Sequence, residues 1–290
     1  FGGGTIRTEF EVLTGLPLSS FPGLQYPYLG IESAHLRGLV SSLKHAGYRS
    51  TAVHPNKGGF WNRRNVFRQL GFDRFISEDD PAFAKAPRRG YYISDAAFTD
   101  VVLSSLAADG PPQFVFGISI EEHGPYDNVP LSADAAAARN AIPVPAGLDP
   151  ASTQRLQTYL LHQRDADAQL GRLASALAQR ARPSLLLFYG DHLPGLGDVY
   201  QLGFDDGRDA SEQPVPYLLI EPGQPHAPTR RDLPAWMLGS TILDRAGVRN
   251  DPWFALLAAV QPALEPQHGH VDDALAHQLA AASALRLRGQ

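Results

Sequence analysis

The chain has 290 residues, 43% of them hydrophobic, and a formal net charge of −5 at pH 7. This length and apolar content can bury one large core or two smaller ones. The negative charge, without a long basic run, argues against a nucleic-acid partner. Because the sequence contains no cysteine, disulfides, thiolate metal sites and a cysteine nucleophile are excluded.

The first helical pattern is "TIRTEFEVLTG", which follows three glycines at the start of the chain. Thr8 and Glu11 have the spacing of a capping box, and Gly15 suits a helix end. Glycines allow a backbone to approach a ligand closely, and a helix N-terminus attracts anions. Thr5 therefore has two interpretations: a nucleophile that faces an anion, or a plain helix cap.

Strand-like and helical patterns then alternate along the chain. This alternation predicts an α/β fold, with a mostly parallel central sheet and helices on both faces. We expect one domain over residues 1–290, with a surface excursion at 131–152 and a peripheral tail at 262–290. The apolar run 183–192 has the pattern of a buried parallel strand. The other predicted strands are 49–55, 112–120 and 214–222, and the other predicted helices are 32–47, 94–110, 157–180 and 233–247.

Candidate site residues follow the predicted strand ends, where ligands bind in sheets of this kind. Asp191 and His192 directly follow one strand, and a carboxylate beside an imidazole suits a divalent cation. The alternative is that Asp191 caps a turn and His192 packs nearby. A threonine hydroxyl is a poor nucleophile near neutral pH unless a cation lowers its pKa, so Thr5 and this pair would need each other.

Two more segments follow predicted strands. In "HPNKGGFWNRR", His54 could donate a hydrogen bond, Trp61 could wall a pocket and Arg63 could form a fork onto a phosphate. In "EEHGPYDN", His123 is presented in the same way. Each residue taken alone also has a structural interpretation, as a solvated histidine, a core tryptophan or a surface arginine.

Together, "GGTIRTEF", "HPNKGGFWNR", "EEHGPY" and "YGDH" resemble the lipoteichoic acid synthase and phosphoglycerol transferase group. This group belongs to the sulfatase/alkaline phosphatase superfamily, and the resemblance covers most of the chain. It implies that Thr5, Asp191 and His192 hold a divalent metal, manganese or else Mg²⁺ or Zn²⁺, and that Thr5 is the nucleophile. It also implies that the glycerol phosphate is held by four side chains: His54, Trp61, Arg63 and His123.

Two departures from the family pattern stand out. Asn56 replaces an acidic residue that the lipoteichoic acid enzymes often carry, which leaves the head group or acceptor open. The family's remaining metal ligand is a glutamate on its first strand, upstream of the glycine loop, and we expect that strand before Phe1. If the chain binds metal without it, Glu121 or Glu122 is the candidate for completing the site.

The resemblance implies an extracytoplasmic enzyme whose full-length form is anchored in the membrane. It would transfer a phosphoglycerol-type group from a phospholipid head group to a glycan or polyol through a phospho-threonine. The alternatives are a phosphodiesterase of the same superfamily and a non-catalytic domain that kept the fold. A true sulfatase is disfavoured because its formylglycine derives from Cys or Ser, whereas Thr5 occupies that position. A phosphoethanolamine transferase is disfavoured because "FWNR" is not its pattern.

Overall fold

The computed structural model describes residues 4–30, 36–203, 213–225, 227–264 and 271–287. A three-stranded parallel sheet lies at its centre in the order β2-β1-β5, and two antiparallel pairs, β3-β4 and β6-β7, accompany it. The strands are β1 Arg49–His54, β2 Arg74–Ser77, β3 Arg88–Arg89, β4 Tyr92–Ile93, β5 Gln113–Gly117, β6 Leu186–Tyr189 and β7 Tyr217–Ile220.

Helices cover both faces of the central sheet, as predicted. Successive side chains of a strand point to opposite faces, and two neighbours on β1 show the consequence. Ala52 packs into the larger core with helices α1, α3, α4 and α8, whereas Val53 packs against α5 on the other face. The helices are α1 Thr5–Thr14, α2 Pro27–Gly30, α3 Leu39–His45, α4 Arg63–Leu70, α5 Asp95–Ser104, α6 Ala133–Asn140, α7 Pro150–Ala178, α8 Ala235–Arg245, α9 Pro252–Leu264 and α10 Asp273–Leu287.

The prediction of a buried parallel strand at 183–192 was wrong in direction and in burial. Strand β6 pairs antiparallel with β7, and Phe188 is 38% exposed. Among the described residues, one face of this pair is covered, where Leu187 and Tyr189 pack against Val12 and helix α8. A short apolar run shows that a strand forms, but its direction depends on the chain connection, which the run does not contain.

Helix α1 begins four residues earlier than a capping box at Thr8 and Glu11 would require. Its N-cap is Gly4, and Gly15 ends it in the left-handed conformation, as expected. The predicted capping box does not form, because Thr8 lies inside the helix. Its Oγ1 donates to the carbonyl of Asp191 at 2.7 Å, while the Glu11 carboxylate accepts from the Leu18 amide.

The other helix predictions agree with α5, α7 and α8. Helix α3 covers the latter part of the predicted helix 32–47, and residues 31–35 lie outside the described ranges. The excursion 131–152 contains α6, which lies against α7. In the tail, α10 contributes Leu279 to the larger core, and its Arg286 pairs with Asp251 at 2.6 Å. Among the described residues, the helices include none with both the length and the apolar character needed to cross a membrane.

Candidate active site

Thr5, Asp191 and His192 converge although 186 or more positions separate Thr5 from the other two. The hydroxyl of Thr5 lies 3.2 Å from Nε2 of His192, and Oδ2 of Asp191 lies 3.5 Å from the same nitrogen. Thr8 contributes to this geometry from the next turn of α1 by binding the Asp191 carbonyl. The loop after β6 is thereby tied to the start of α1.

The hydrogen bonds of His192 direct its Nε2 at the Thr5 hydroxyl, 3.2 Å away. Its Nδ1 lies 2.7 Å from the carbonyl oxygen of Leu193, and since a carbonyl only accepts, Nδ1 carries the hydrogen. In the neutral ring, Nε2 then presents a lone pair to Thr5 and to the Asp191 carboxylate. A backbone carbonyl that fixes the tautomer of a histidine in this way is typical of metal ligands.

This donor set fits a divalent cation. A carboxylate oxygen and an imidazole nitrogen that face each other at 3.5 Å need either a proton or a metal ion between them. One hydroxyl, one carboxylate and one imidazole suit manganese, magnesium or zinc. Among the described residues, no group of three or more His, Cys, Asp or Glu side chains is placed to hold a metal. Zinc and magnesium take four or more ligands, so the three donors would need a further ligand.

Glu121 is not placed to supply that further ligand. Its carboxylate is buried, and it accepts from the Asp95 amide at 2.7 Å and pairs with Nδ1 of His162 at 3.0 Å. Glu122 points to a different neighbourhood, where Ser119 donates to it and burial raises its pKa. The Glu121 carboxylate therefore joins the loop before His123 to α5 and α7, and the Glu122 carboxylate contacts Ser119 in the same loop.

The start of α1 also offers a place for an anion. The first amide groups of a helix have no partner within the helix, and the helix dipole adds positive potential there. Thr5 occupies the first helical position, and Gly4 has no side chain to cap it. Phosphate groups bind at such termini in other proteins.

Arg63 is buried, with 2% of its side chain exposed, so the interpretation as a surface arginine was wrong. Its fork is already occupied, because Nη2 and Nε bind the two oxygens of Glu9 at 2.6 and 3.2 Å. Glu9 is equally buried, and this bidentate geometry is that of an ionised pair. Only Nη1 is directed elsewhere, at 3.4 Å from Nε2 of His54.

His54, the last residue of β1, is neutral in this setting. Burial and then the charge of Arg63 lower its pKa to about 3. Its Nδ1 lies 2.9 Å from the Ile118 carbonyl and so carries the ring's one hydrogen. Nε2 is then an acceptor that faces Arg63, and the donor role predicted for His54 is not available in this arrangement.

Trp61 lies at the rim, in a turn between β1 and α4. Its ring stacks on Tyr26 with centroids 5.4 Å apart and contacts Phe60 at 5.3 Å. Trp61 and Asn62 both have left-handed backbone angles, with φ of 56° and 61°. Non-glycine residues adopt these angles at an energetic cost, which proteins accept mostly at functional sites.

His123 is exposed, and in the described part of the chain its hydrogen bonds go to Tyr92 and Gly124 rather than to Thr5, Asp191 or His192. Its Nδ1 lies 2.6 Å from the Gly124 carbonyl, and its ring meets Tyr92 edge to face at 5.8 Å. Nε2 is therefore the ring nitrogen that remains for a ligand.

Glu9 was missed by the sequence analysis. It lies four residues after Thr5, on the same face of α1, where it binds Arg63. The spacing "TIRTE" contained the signal, because any residue four positions after a helical nucleophile faces the same site. A buried arginine also needs a carboxylate partner, and Glu9 supplies it.

The sequence of residues 1–248 matches the Sulfatase family. The chain belongs to this family. It is 35% identical over 201 residues to the "Putative cyclic beta-1,2-glucan modification protein" of Rhizobium meliloti (strain 1021), which covers 69% of this chain and 30% of that relative. The chain therefore spans less than a third of that relative's length.

The fold is also found in solved structures. The phosphoglycerol transferase GacH of Streptococcus pyogenes, in complex with sn-glycerol-1-phosphate, has a TM-score of 0.77 and 21% identity, over 100% of this chain and 72% of that one. The C-terminal periplasmic domain of EptC from Escherichia coli, in complex with Zn, has a TM-score of 0.64 and 17% identity, over 86% of this chain and 70% of that one. These findings confirm the predicted superfamily and its fold.

Proposed function

We propose that this chain carries the catalytic site of a metal-dependent transferase. It moves a phosphoglycerol-type group from a phospholipid head group to a hydroxyl of a glycan or polyol. The single observation that supports this most strongly is the convergence of the Thr5 hydroxyl, the Asp191 carboxylate and Nε2 of His192 at the start of α1. A non-catalytic domain has no need to hold a hydroxyl, a carboxylate and an imidazole lone pair together.

The reaction proceeds in two steps. Oγ1 of Thr5 attacks the phosphorus, and the bond from phosphorus to the diacylglycerol oxygen breaks. The proton of Thr5 is taken up by the diacylglycerol that leaves, and a phospho-threonine remains. An acceptor hydroxyl then attacks the same phosphorus, its proton returns to Thr5, and the Thr5–phosphorus bond breaks.

A divalent cation held by Thr5, Asp191 and His192 would lower the pKa of the Thr5 hydroxyl and screen charge on the phosphoryl group. The helix N-terminus at Thr5 provides amide groups for the phosphoryl oxygens. Nε2 of His123 can bind the group from the solvent side.

Arg63 and His54 act mainly from beneath the site. With its fork on Glu9, Arg63 can offer only Nη1 to a substrate, at the edge beside His54. Because Glu9 neutralises the charge of Arg63, this residue contributes to the site through its Nη1 group rather than through a net positive field. Trp61 would wall the glycerol part of the head group.

The acceptor and the compartment are part of the same proposal. The relative named for cyclic glucan modification suggests a glycan acceptor, and the similar periplasmic domain suggests an extracytoplasmic location. Sulfate ester hydrolysis by formylglycine is disfavoured, because Thr5 stands where that chemistry requires Cys or Ser.

The experiment compares Thr5→Ala with wild type for release of diacylglycerol from phosphatidylglycerol in the presence of Mn²⁺. We expect turnover to be lost while the melting temperature changes little, because Gly4, not Thr5, caps the helix. Thr153→Ala is a matched control, since Thr153 is also half-buried in the first turn of a helix. Turnover by a folded Thr5→Ala variant would contradict the proposal.

Product analysis with and without a glucan separates transfer from hydrolysis. A transferase gives a phosphoglycerol-modified glucan and slows or stops without acceptor. Free glycerol phosphate at the same rate under both conditions would identify a phosphodiesterase instead.

A further inference from the structure

Three large apolar side chains are exposed together at the rim of the candidate site. Tyr26 is 46% exposed, Leu29 61% and Phe60 53%. Tyr26 directly precedes the short helix α2, which contains Leu29. Phe60 lies in the turn after β1. We call these three residues the rim patch.

The rim patch is physically continuous with the site. Arg7, two residues after Thr5, donates to the carbonyls of Leu24 and Gln25, which holds the segment before Tyr26 against the start of α1. Tyr26 then stacks on Trp61, and Phe60 contacts the same ring. The patch is thus linked to the reacting hydroxyl by a short chain of direct contacts.

The backbone of this turn favours exposure. Trp61 and Asn62, which directly follow the exposed Phe60, are held in left-handed conformations. Asn62 is fixed by its contacts with the Tyr28 carbonyl and with Asn65. Strain retained beside an exposed phenylalanine is not explained by packing of the core.

Two basic residues flank the patch in the described part of the chain, although the chain as a whole carries −5. Lys57 is exposed and begins the turn that Phe60 closes, because the Phe60 amide donates to the Lys57 carbonyl. Arg7 lies on the other side, against the segment before Tyr26. Aromatic and aliphatic side chains flanked by basic residues are typical of surfaces that insert into an anionic lipid interface.

We propose that the rim patch docks on the surface of an anionic phospholipid bilayer and so presents a lipid head group to Thr5. This rests on the proposed function, which it deepens by assigning membrane-embedded lipid as the form of the donor. A glycan fits the patch less well, because Leu29 and Phe60 have no polar atoms. The amide of Asn62, which a sugar would need, is already engaged.

The test measures binding of the 290-residue chain to sedimented vesicles of phosphatidylglycerol and of phosphatidylcholine. The test variant is Leu29→Ser/Phe60→Ser. Leu256→Ser is the matched control, because Leu256 is 44% exposed on α9, which packs at Gly15, the opposite end of α1 from Thr5. Wild type should prefer phosphatidylglycerol vesicles, and the double variant should bind them about tenfold more weakly, while the control equals wild type.

A second measurement uses monomeric short-chain phosphatidylglycerol, which needs no membrane. The double variant should cleave it at the wild-type rate but should lose activity on vesicles. Vesicle binding without turnover of either lipid would leave docking standing and contradict the proposed function. Equal vesicle binding by wild type and the double variant would overturn docking. If the double variant then also bound a glucan more weakly than wild type, the patch would be a glycan surface instead.

Discussion

Glu9→Gln removes the carboxylate that neutralises Arg63 while it preserves the size of the side chain. Both side chains are 2% exposed, and two hydrogen bonds of 2.6 and 3.2 Å join them. The variant leaves a guanidinium buried without a counter-charge. Breaking a buried pair on one side costs about 3–5 kcal/mol, which for a chain of this size lowers the melting temperature by roughly 10 °C.

The assay is thermal and urea unfolding with a matched surface control. Arg64→Gln changes the next residue, whose pair with Asp79 is more than half exposed on both sides. It should change the unfolding free energy by less than about 1 kcal/mol. The double variant Glu9→Gln/Arg63→Met removes both charges. Its loss of unfolding free energy should be smaller than the summed losses of the single variants Glu9→Gln and Arg63→Met. An unfolding free energy of Glu9→Gln equal to wild type would refute the assignment of a buried ion pair.

Three further predictions concern the same site. Arg63→Lys should lower both the melting temperature and the activity, because an ammonium cannot bind both oxygens of Glu9 and reach His54; full activity and stability would show that the fork is dispensable. The pKa of His54 falls from 6.5 to about 3 on folding, so its contribution to stability is present above pH 6.5 and is lost as the pH falls toward 3. Urea unfolding between those limits should show that the unfolding free energy of wild type rises with pH more steeply than that of His54→Gln, by about 1.4 kcal/mol per pH unit. An equal slope in both proteins would contradict the buried neutral imidazole. Thr8→Val removes the bond to the Asp191 carbonyl, and calorimetric titration should show weaker Mn²⁺ binding than in wild type with the fold intact; unchanged affinity would mean that Thr8 does not position the loop.

The alternation of strands and helices predicted the parallel sheet. The structure also brings Thr5 close to Asp191 and His192, but the shared edge of parallel strands is not the cause, because β6 pairs with β7 outside that sheet. The direction of β6 was not predictable in the same way, because its antiparallel partner β7 lies about 30 residues further along the chain. The roles of the site residues remain predictions.

Two local predictions were wrong because tertiary contacts, which a sequence pattern does not show, competed with the local interaction that the pattern indicated. The Thr8–Glu11 spacing fits a capping box, but the chain extends the helix back to Gly4 and uses both side chains for tertiary contacts. Arg63 was expected to present its fork to a phosphate, yet burial beside Glu9 turns the fork inward. Burial of a charged residue is decided by its partner, and the partner was identified only in three dimensions.

The central claim is that Thr5 becomes covalently phosphorylated during turnover. The most direct test mixes the chain with Mn²⁺ and phosphatidylglycerol in the absence of an acceptor and quenches the reaction in acid. Peptide mass spectrometry then locates any adduct. The account predicts one glycerophosphoryl group on Thr5, lost when a glucan is added before the quench and absent from Thr5→Ala. Release of diacylglycerol in an amount exceeding the enzyme, with no modified Thr5 at any time point, would contradict it.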